Sequence, residues 1–376
     1  MDDHGKRHKR GVRSSRRWAH RAGLALAGVL ICAAAGYSAP ASGTPYVFNT
    51  ILPLTGGAAF IGQAEAQTLR VMEPWVNARG GINGRPVHFV IQDDQTSPQL
   101  GVQLAGQVMA KRVPVILGST LVAICRAMAP LMKDGPVMYC FSPGIHPEEG
   151  SYVFSAGAST RDLAQATMTF FRGKGWTRIA VLTSTDATGQ DAEQGIVDAA
   201  GLPQNQGVQI IDREHFNPTD GSVSAQIAHV AAVKAQALIA WSTGAPIATV
   251  FKAIAQSGLN IPVVTTDGNM TVAQMQQYAS FMPAELYSPT SLWAADPVLP
   301  PGRVKLALKG FLNTMQGAGM KPDRGTTLAW DAPLMVIDAL RHLGTQATAP
   351  QIRDYLEHLR GFAGINGIYD FNLDPA

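Results

Sequence analysis

Short unbroken apolar runs alternate along this chain with longer stretches in which apolar residues recur at helical spacing. The clearest unit is YVFNTILPLTGGAAFIGQAEAQTLRVMEPWVNARGGINGRPVHFVIQDD, from Tyr46 to Asp94. Tyr46 to Leu52 is apolar with little alternation, the pattern of a parallel strand covered on both faces. Thr55-Gly56-Gly57 then turns the backbone sharply. From Phe60 to Ala78 the apolar positions fit one face of a helix, with Ala64, Leu69, Val71, Met72 and Trp75 on the sheet side. Gly80-Gly81 stops that helix and Asn83-Gly84 leads into a second strand, Pro86 to Gln92, which completes a βαβ unit.

The same rhythm continues. Helices are predicted at Pro98–Ala110 and Leu121–Lys133, and strands at Val113–Gly118 and Pro136–Phe141. At Tyr152–Ala156 a strand-like run follows the SPGIHPEEG loop with no helix between. A second series then begins, with strands at Arg178–Thr183, Val208–His215, Ala237–Trp241 and Pro262–Thr266. Its helices are Arg161–Arg172, Ala192–Ala200, Ser222–Val233 and Pro246–Gln256. Leu286–Trp293 reads as extended, and three helical stretches follow at Pro301–Gln316, Thr326–Leu343 and Pro350–Arg360. Having no strands of their own, these are expected to pack on a lobe already built. A βα theme that repeats after a break predicts an α/β fold of two similar Rossmann-like lobes with parallel sheets.

Open α/β sheets bind ligands beyond the carboxyl ends of their strands, and one loop type recurs there. Its instances are Leu54-Thr55-Gly56-Gly57, Gly118-Ser119-Thr120 and Phe141-Ser142-Pro143-Gly144 in the first series. In the second they are Thr183-Ser184-Thr185-Asp186, Ser242-Thr243-Gly244 and Thr265-Thr266-Asp267-Gly268. Small hydroxyls and glycines before helices leave backbone N–H groups free to hold a carboxylate or another polar group. Ser, Thr, Asp and Gly also favour caps and turns for local reasons, so it is the shared placement of the six loops that points to a small-molecule site.

Composition changes this picture in one respect. The hydrophobic fraction of 46% and charged fraction of 15% are ordinary for soluble globular material, and 376 residues suit about two domains. The net charge of +3 is uneven, since eight of the 30 basic residues but only two of the 27 acidic ones lie within residues 1–22. The remainder carries 22 basic against 25 acidic groups and is mildly acidic. A nucleic-acid surface needs a basic stripe, so that function class is excluded. The basic start is followed by GLALAGVLICAAAGYSA, short for a membrane span, and then by Ala39-Pro40-Ala41. Residues 1–41 therefore read as an export signal, Sec in type rather than twin-arginine, leaving no stable membrane insertion after its removal. In the oxidising compartment beyond, Cys125 and Cys140 stand 15 residues apart on successive βα units. They form either a disulfide or two small buried apolar residues, and geometry decides between these.

There is no Walker loop, no G-x-G-x-x-G, no nucleophile elbow, no H-E-x-x-H and no C-x-x-C. No histidines outside the first 22 residues fall at metal-ligand spacing on one helix. Neither a metal nor a cofactor is implied, and nothing pairs a nucleophile with a base, so no enzyme activity is expected.

Several segments together carry a resemblance: PLTGGAAFIG, VNARGGINGRPV, QDDQTSP, VPVILGS, GPVMYCFSP, WTRIAVLTSTDATGQD, AQALIAWSTG, IPVVTTDG and LAWDAPLMVIDAL. The chain resembles the periplasmic solute-binding proteins of the branched-chain amino acid and amide type, related to the leucine/isoleucine/valine-binding protein. The resemblance implies two lobes that close on a ligand like a hinge and deliver it to an ABC transporter permease. Signal peptide apart, lobe 1 would comprise residues 46–154 and 290–376, and lobe 2 residues 155–289. Carried over singly, it implies ligand contacts at Ser119 and Thr120, at Ser142, Pro143 and Gly144, and at Thr188 where the family commonly has an aromatic. Phe60 and Thr243 join the candidate contacts. Asp267 corresponds to the acid that receives an amino acid's ammonium group, a role in keeping with the need of a buried cation for a paired charge; a helix cap from Asn269 is its local alternative. Asp93 and Asp94 read as structural turn ligands.

Two departures stand out. Phe60, Ile61, Leu121, Val122 and Trp241 are apolar near the expected cleft, which suits a less polar ligand than a plain amino acid, or a core. After Gly367-Ile368-Tyr369-Asp370-Phe371 the chain stops at Ala376, where the family crosses once more and adds a final strand to lobe 2. Two crossovers and a shortened lobe-2 sheet are therefore expected. The same fold also serves ligand sensors, and a periplasmic enzyme on a small acid or amide is the reading from another class.

Overall fold

The computed structural model of the chain describes residues 39–155 and 158–371. The expected export signal, up to residue 38, lies outside the described residues, as do residues 372–376. In chain order the first sheet is built from β1 (Tyr46–Leu52), β2 (Val87–Asp93), β3 (Val115–Gly118), β4 (Val137–Cys140) and β5 (Val153–Ser155). They pair in the order β2-β1-β3-β4-β5, all parallel. The second sheet holds β6 (Arg178–Ser184), β7 (Gln209–Phe216), β8 (Ala237–Trp241), β9 (Val263–Val264) and β10 (Leu286–Tyr287). Its order is β10-β9-β8-β6-β7, again parallel throughout. The fold is thus two parallel-sheet α/β lobes, as the alternating pattern predicts.

Strand alternation divides each lobe's core in two. Leu117 and Tyr139 face one side of the first sheet, while Ile116, Met138 and Cys140 face the other. On the first side lie α1 (Ala59–Asn77), α9 (Arg303–Gly317), α10 (Arg324–Leu343) and α11 (Ala349–Glu357). Trp330 of α10 packs its ring 5.3 Å from Trp75 and 4.9 Å from Phe311, so the late helices complete the core of a lobe begun 250 residues earlier. On the opposite side lie α2 (Pro98–Met109) and α3 (Val122–Met128). Lobe 2 is covered by α4 (Thr160–Lys174) and α5 (Ala187–Gly201) on one face. On its other face are α6 (Ser224–Ala232), α7 (Pro246–Ser257) and α8 (Val272–Tyr278).

Several expected boundaries shift for identifiable reasons. The helix expected over Leu121–Lys133 ends as α3 at Met128 and continues as a 3-10 turn over Ala129–Met132, because Pro130 has no N–H to continue the α-helical ladder. Pro333 acts similarly inside α10, where Ala329, four residues earlier, leaves helical geometry with φ −88° and ψ 18°. Leu286–Trp293 is not extended throughout: only Leu286 and Tyr287 pair, and Leu292–Val298 forms a 3-10 helix. The helical segment considered from Asn269 begins three residues later, as α8 at Val272. Cys125 and Cys140 form a disulfide, with Cα atoms 6.3 Å apart. Among the described residues the chain passes between sheets twice, after β5 and after β10. The late hairpin of β11 (Phe362–Ala363) and β12 (Ile368–Tyr369) joins neither large sheet.

Candidate functional site

The carboxyl ends of both sheets face one another across a cleft, and the loops leaving them supply its walls. Lobe 1 contributes Thr120 and Leu121 after β3, Ser142 and Pro143 after β4, and Ile61 in the first turn of α1. Lobe 2 contributes Thr188 in the first turn of α5, Trp241 and Thr243 at the end of β8, and Thr266 and Asp267 after β9. The enclosed cavity is about 30 Å³ in this conformation. Binding pockets usually enclose some ~300 Å³ or more, so a ligand holds the walls further apart than they stand here. A larger cavity of about 340 Å³ lies between Glu149, Asp162 and Tyr369. Of the two large sheets only the edge strand β5 reaches it, and no strand of the second sheet does, so the smaller interlobe cavity is the candidate site.

Thr120, Ser142, Pro143, Thr188, Thr243 and Asp267, six of the residues expected from sequence, are brought together here. Three are not. Phe60 turns its ring toward Tyr278 of α8, with centroids 6.1 Å apart, and joins the lobe-2 core instead of the cavity wall. Ser119 is buried behind the wall, its hydroxyl donating to Asp94 Oδ2 at 2.6 Å. Gly144 also sits behind it, its carbonyl accepting from Arg126 Nη2 at 3.3 Å.

The lobes touch at several points around the cavity. Ala245 N donates to Gly57 O at 2.7 Å, and at Gly244, where φ is +87°, a Cβ would stand 2.3 Å from that same carbonyl. Only glycine permits this approach. Asp191 of α5 accepts from Arg126 Nη2 of α3 at 2.7 Å and lies 3.0 Å from His146 Nε2. Gly189 is constrained within its own lobe, since a Cβ there would lie 1.8 Å from the Ser184 carbonyl oxygen. That packing seats the first turn of α5 on the end of β6 and sets the place of Thr188.

The polar residues of the lobe-1 wall rest on buried carboxyl groups. Thr120 Oγ1 and Glu65 Oε2 share a short hydrogen bond, and Glu65 is fully buried on α1 with Oε1 unpartnered. Burial pushes the Glu65 carboxyl well above its usual range, and the nearby Asp94 charge adds to this. Burial also raises Asp94, to about 6, against the hydrogen bond from Ser119. Asp93 behaves differently. Its slight burial opposes ionisation, but the Thr55 hydroxyl and the backbone N–H groups of Gln95, Thr55 and Leu54 hold it below the ordinary value, as befits a turn ligand.

In lobe 2 the supports are carboxamides. Asn269 Nδ2 donates to Ser242 O at 2.7 Å and to Thr265 Oγ1 at 3.0 Å, while its Oδ1 accepts from Gly244 N at 2.9 Å. Gln274 Nε2 adds a bond to Gly244 O at 3.2 Å. These amides fix the loop that carries Thr243.

The positively charged residue of the site was missed from sequence. Arg324, at the start of α10 and 1% exposed, lines the cavity with its Nε 2.7 Å from Asp267 Oδ2. Its Nη1 donates to Asn366 Oδ1 at 3.0 Å and to Ser291 Oγ at 3.2 Å, which ties the cavity to the segment that returns from lobe 2. Burial pushes the Asp267 carboxyl up, and the Arg324 charge is the main influence opposing this. Asp267, expected as an ammonium partner, thus already has a cation beside it within the protein. It is not a helix N-cap: that place belongs to Thr266, whose hydroxyl accepts from Gly268 N at 3.3 Å. A signal for Arg324 was present, since a cation at a helix N-terminus opposes the macrodipole and needs another reason to be there. Thr160, Thr266 and Leu328 also line the cavity and had not been singled out as contacts.

Two α/β lobes facing across a hydroxyl-lined cleft define a ligand-binding receptor of the two-lobed class. The chain belongs to the periplasmic binding protein family, whose model matches residues 45–374. Among solved structures it is similar to the leucine-binding protein LivK of Thermotoga maritima, with 19% identity over 86% of this chain and 90% of that one and a TM-score of 0.74. It is also similar to the branched-chain amino acid transporter substrate-binding protein LivJ of Streptococcus pneumoniae, in complex with isoleucine (17% identity, 87% and 92% covered, TM-score 0.74). A third is an ABC transporter solute-binding protein of R. palustris in complex with benzoate (17% identity, 87% and 89% covered, TM-score 0.71). No curated protein sequence matches. The fold is that of type I periplasmic binding proteins, and the family is one of exported substrate-binding receptors. Among the described residues no helix is long and apolar enough to cross a membrane, and no group of three or more His, Cys, Asp or Glu is placed to hold a metal ion.

Proposed function

We propose that this protein captures a small molecule between its lobes in the periplasm and presents the closed form to the permease of an ABC importer. The observation that carries the proposal is the convergence of strand-end hydroxyls from both lobes on one interlobe cavity, with Gly57, Arg126 and Asp191 making contacts across the cleft. Ligand contacts made by both walls exist only when the lobes are together, so binding stabilises closure. The proposed division follows the two crossovers: lobe 1 from residues 46–154 and 290–376, lobe 2 from residues 155–289, and residues 1–41 as a Sec-type export signal. The bound molecule is an amino acid, an amide or a small carboxylate, a range that includes both the isoleucine and the benzoate held by relatives of this fold.

A thermal-shift screen of the purified chain against amino acids, amides, short dicarboxylates and aromatic acids tests this. A ligand at a hundred times its dissociation constant stabilises the native state by about 2.7 kcal/mol, so at least one compound should raise the melting temperature by several degrees. A cooperative melt unmoved by every compound in the panel would sink the reading.

A further inference from the structure

Resting on that solute-binding reading, we infer that the cleft selects a small carboxylate bearing no amino group, with the Arg324 guanidinium as its charged partner. Among the described residues Asp267 and Arg324 are the only charged side chains on the cavity wall, and they face each other at 2.7 Å. An amino acid's ammonium group entering here meets a carboxylate already neutralised and a guanidinium of its own sign. The next carboxyl inward, Glu65, is held by Thr120 and stands behind the wall. Desolvating a cation without a dedicated partner is costly, so the arrangement discriminates against amines.

The donors point the other way. Nε and Nη2 share one edge of the planar guanidinium, the fork that matches a carboxylate. Nε is engaged by Asp267, whereas Nη2 is buried and has no hydrogen-bond partner. The same wall carries hydroxyls that can donate, those of Ser142, Thr243 and Thr266 among them. Trp241 and Leu328 offer apolar surface for the remainder of the ligand. Asp267 in this arrangement is a competitor for the guanidinium: a bound carboxylate shares Arg324 with it, and the two anions repel. The acid therefore sets affinity downward, the opposite of what an ammonium partner does.

Calorimetric titration of the purified chain with leucine, with 4-methylpentanoate, which is leucine without its amino group, and with benzoate tests this directly. The expected result is that 4-methylpentanoate binds about tenfold tighter than leucine or better, and that Asp267→Asn tightens carboxylate binding several-fold. The variant keeps the shape of the site but leaves the Arg324 charge without its partner, so a thermal melt run beside the titration reports whether it is folded, and the parent's preference between leucine and its des-amino analogue tests the inference independently of it. The inference is overturned if leucine binds as tightly as its des-amino analogue, if D267N fails to strengthen carboxylate binding, or if neither carboxylate binds. Tight leucine binding would leave the solute-binding reading standing, whereas silence across the whole wider panel would remove that reading itself.

Discussion

The two walls of the cleft carry similar hydroxyls on dissimilar supports. In lobe 1, Ser119 and Thr120 lean on the carboxyls of Asp94 and Glu65, and the disulfide lies directly beneath, with both sulfurs within 3.4 Å of the Ser119 carbonyl oxygen. In lobe 2, the Thr243 loop leans on the amides of Asn269 and Gln274. A carboxyl group exchanges a proton in the working pH range once burial has raised it, and an amide does not. The comparison teaches that the supports behind the lobe-1 hydroxyls can titrate and those behind the Thr243 loop cannot, which leaves Asp267, also raised by burial, as the titrating group of the lobe-2 wall. Arg324 belongs to both, since it rises from the lobe-1 core and ends on Asp267.

The largest effect should come from cutting that tie. Arg324→Ala leaves Asp267 buried and unpaired, which typically costs about 3–5 kcal/mol, measurable as a fall in the urea midpoint. A fall no greater than that of a surface arginine would mean the pair is not a bridge between the walls. Next in size is the disulfide. Replacing Cys125 and Cys140 by serine releases a 15-residue loop, for which chain entropy predicts a loss of about 3 kcal/mol. Denaturation of the double variant and of the oxidised parent should show that gap, and equal stabilities would make the bridge irrelevant to the lobe-1 wall.

The third prediction concerns pH. Asp94 is raised from 3.8 to about 6 in the folded protein, so between those values the native state binds more protons than the unfolded one. Stability is then full below about pH 4 and declines as pH rises through 6, by roughly 2–3 kcal/mol at one pKa unit per 1.36 kcal/mol. Glu65, raised by burial as well, acts in the same direction. Denaturant midpoints followed from pH 4 to 7 should fall in the parent, less steeply in Asp94→Asn, and an unchanged slope in that variant would contradict the assignment. Smallest is the lobe-2 counterpart. Asn269→Ala strands the Gly244 N–H and the Ser242 carbonyl at about 1–3 kcal/mol, and the loss should be the same at pH 4 and pH 7. A pH-dependent loss would erase the contrast between the walls.

Much of the architecture was legible in the sequence because parallel strands buried on both faces leave unbroken apolar runs such as IAVL and ALIAW. The strand-end loops announced themselves through Ser, Thr and Gly, and five contacts expected in them, with Thr188 from the first turn of α5, do reach one cavity. What could not be read was direction and distance. Phe60 and Ile61 are adjacent in the first turn of α1, yet the helix sends one to Tyr278 and the other to the cavity. Arg324 lies 57 positions after Asp267, and no local pattern foretells that the two will meet. Helix α8, Val272–Tyr278, is only about two turns long, too short for its periodicity to give a signal. The 3-10 segment at Leu292–Val298 escaped for a related reason, its apolar residues imitating an extended run.

The central claim is that ligand contacts from both lobes hold the cleft shut. Small-angle X-ray scattering of the purified chain, alone and saturated with the tightest compound from the thermal-shift screen, measures this most directly. A smaller radius of gyration on saturation is the predicted result, because the free protein then spends part of its time open and the bound protein does not. Saturable binding with no change in the scattering profile would contradict closure as the mechanism.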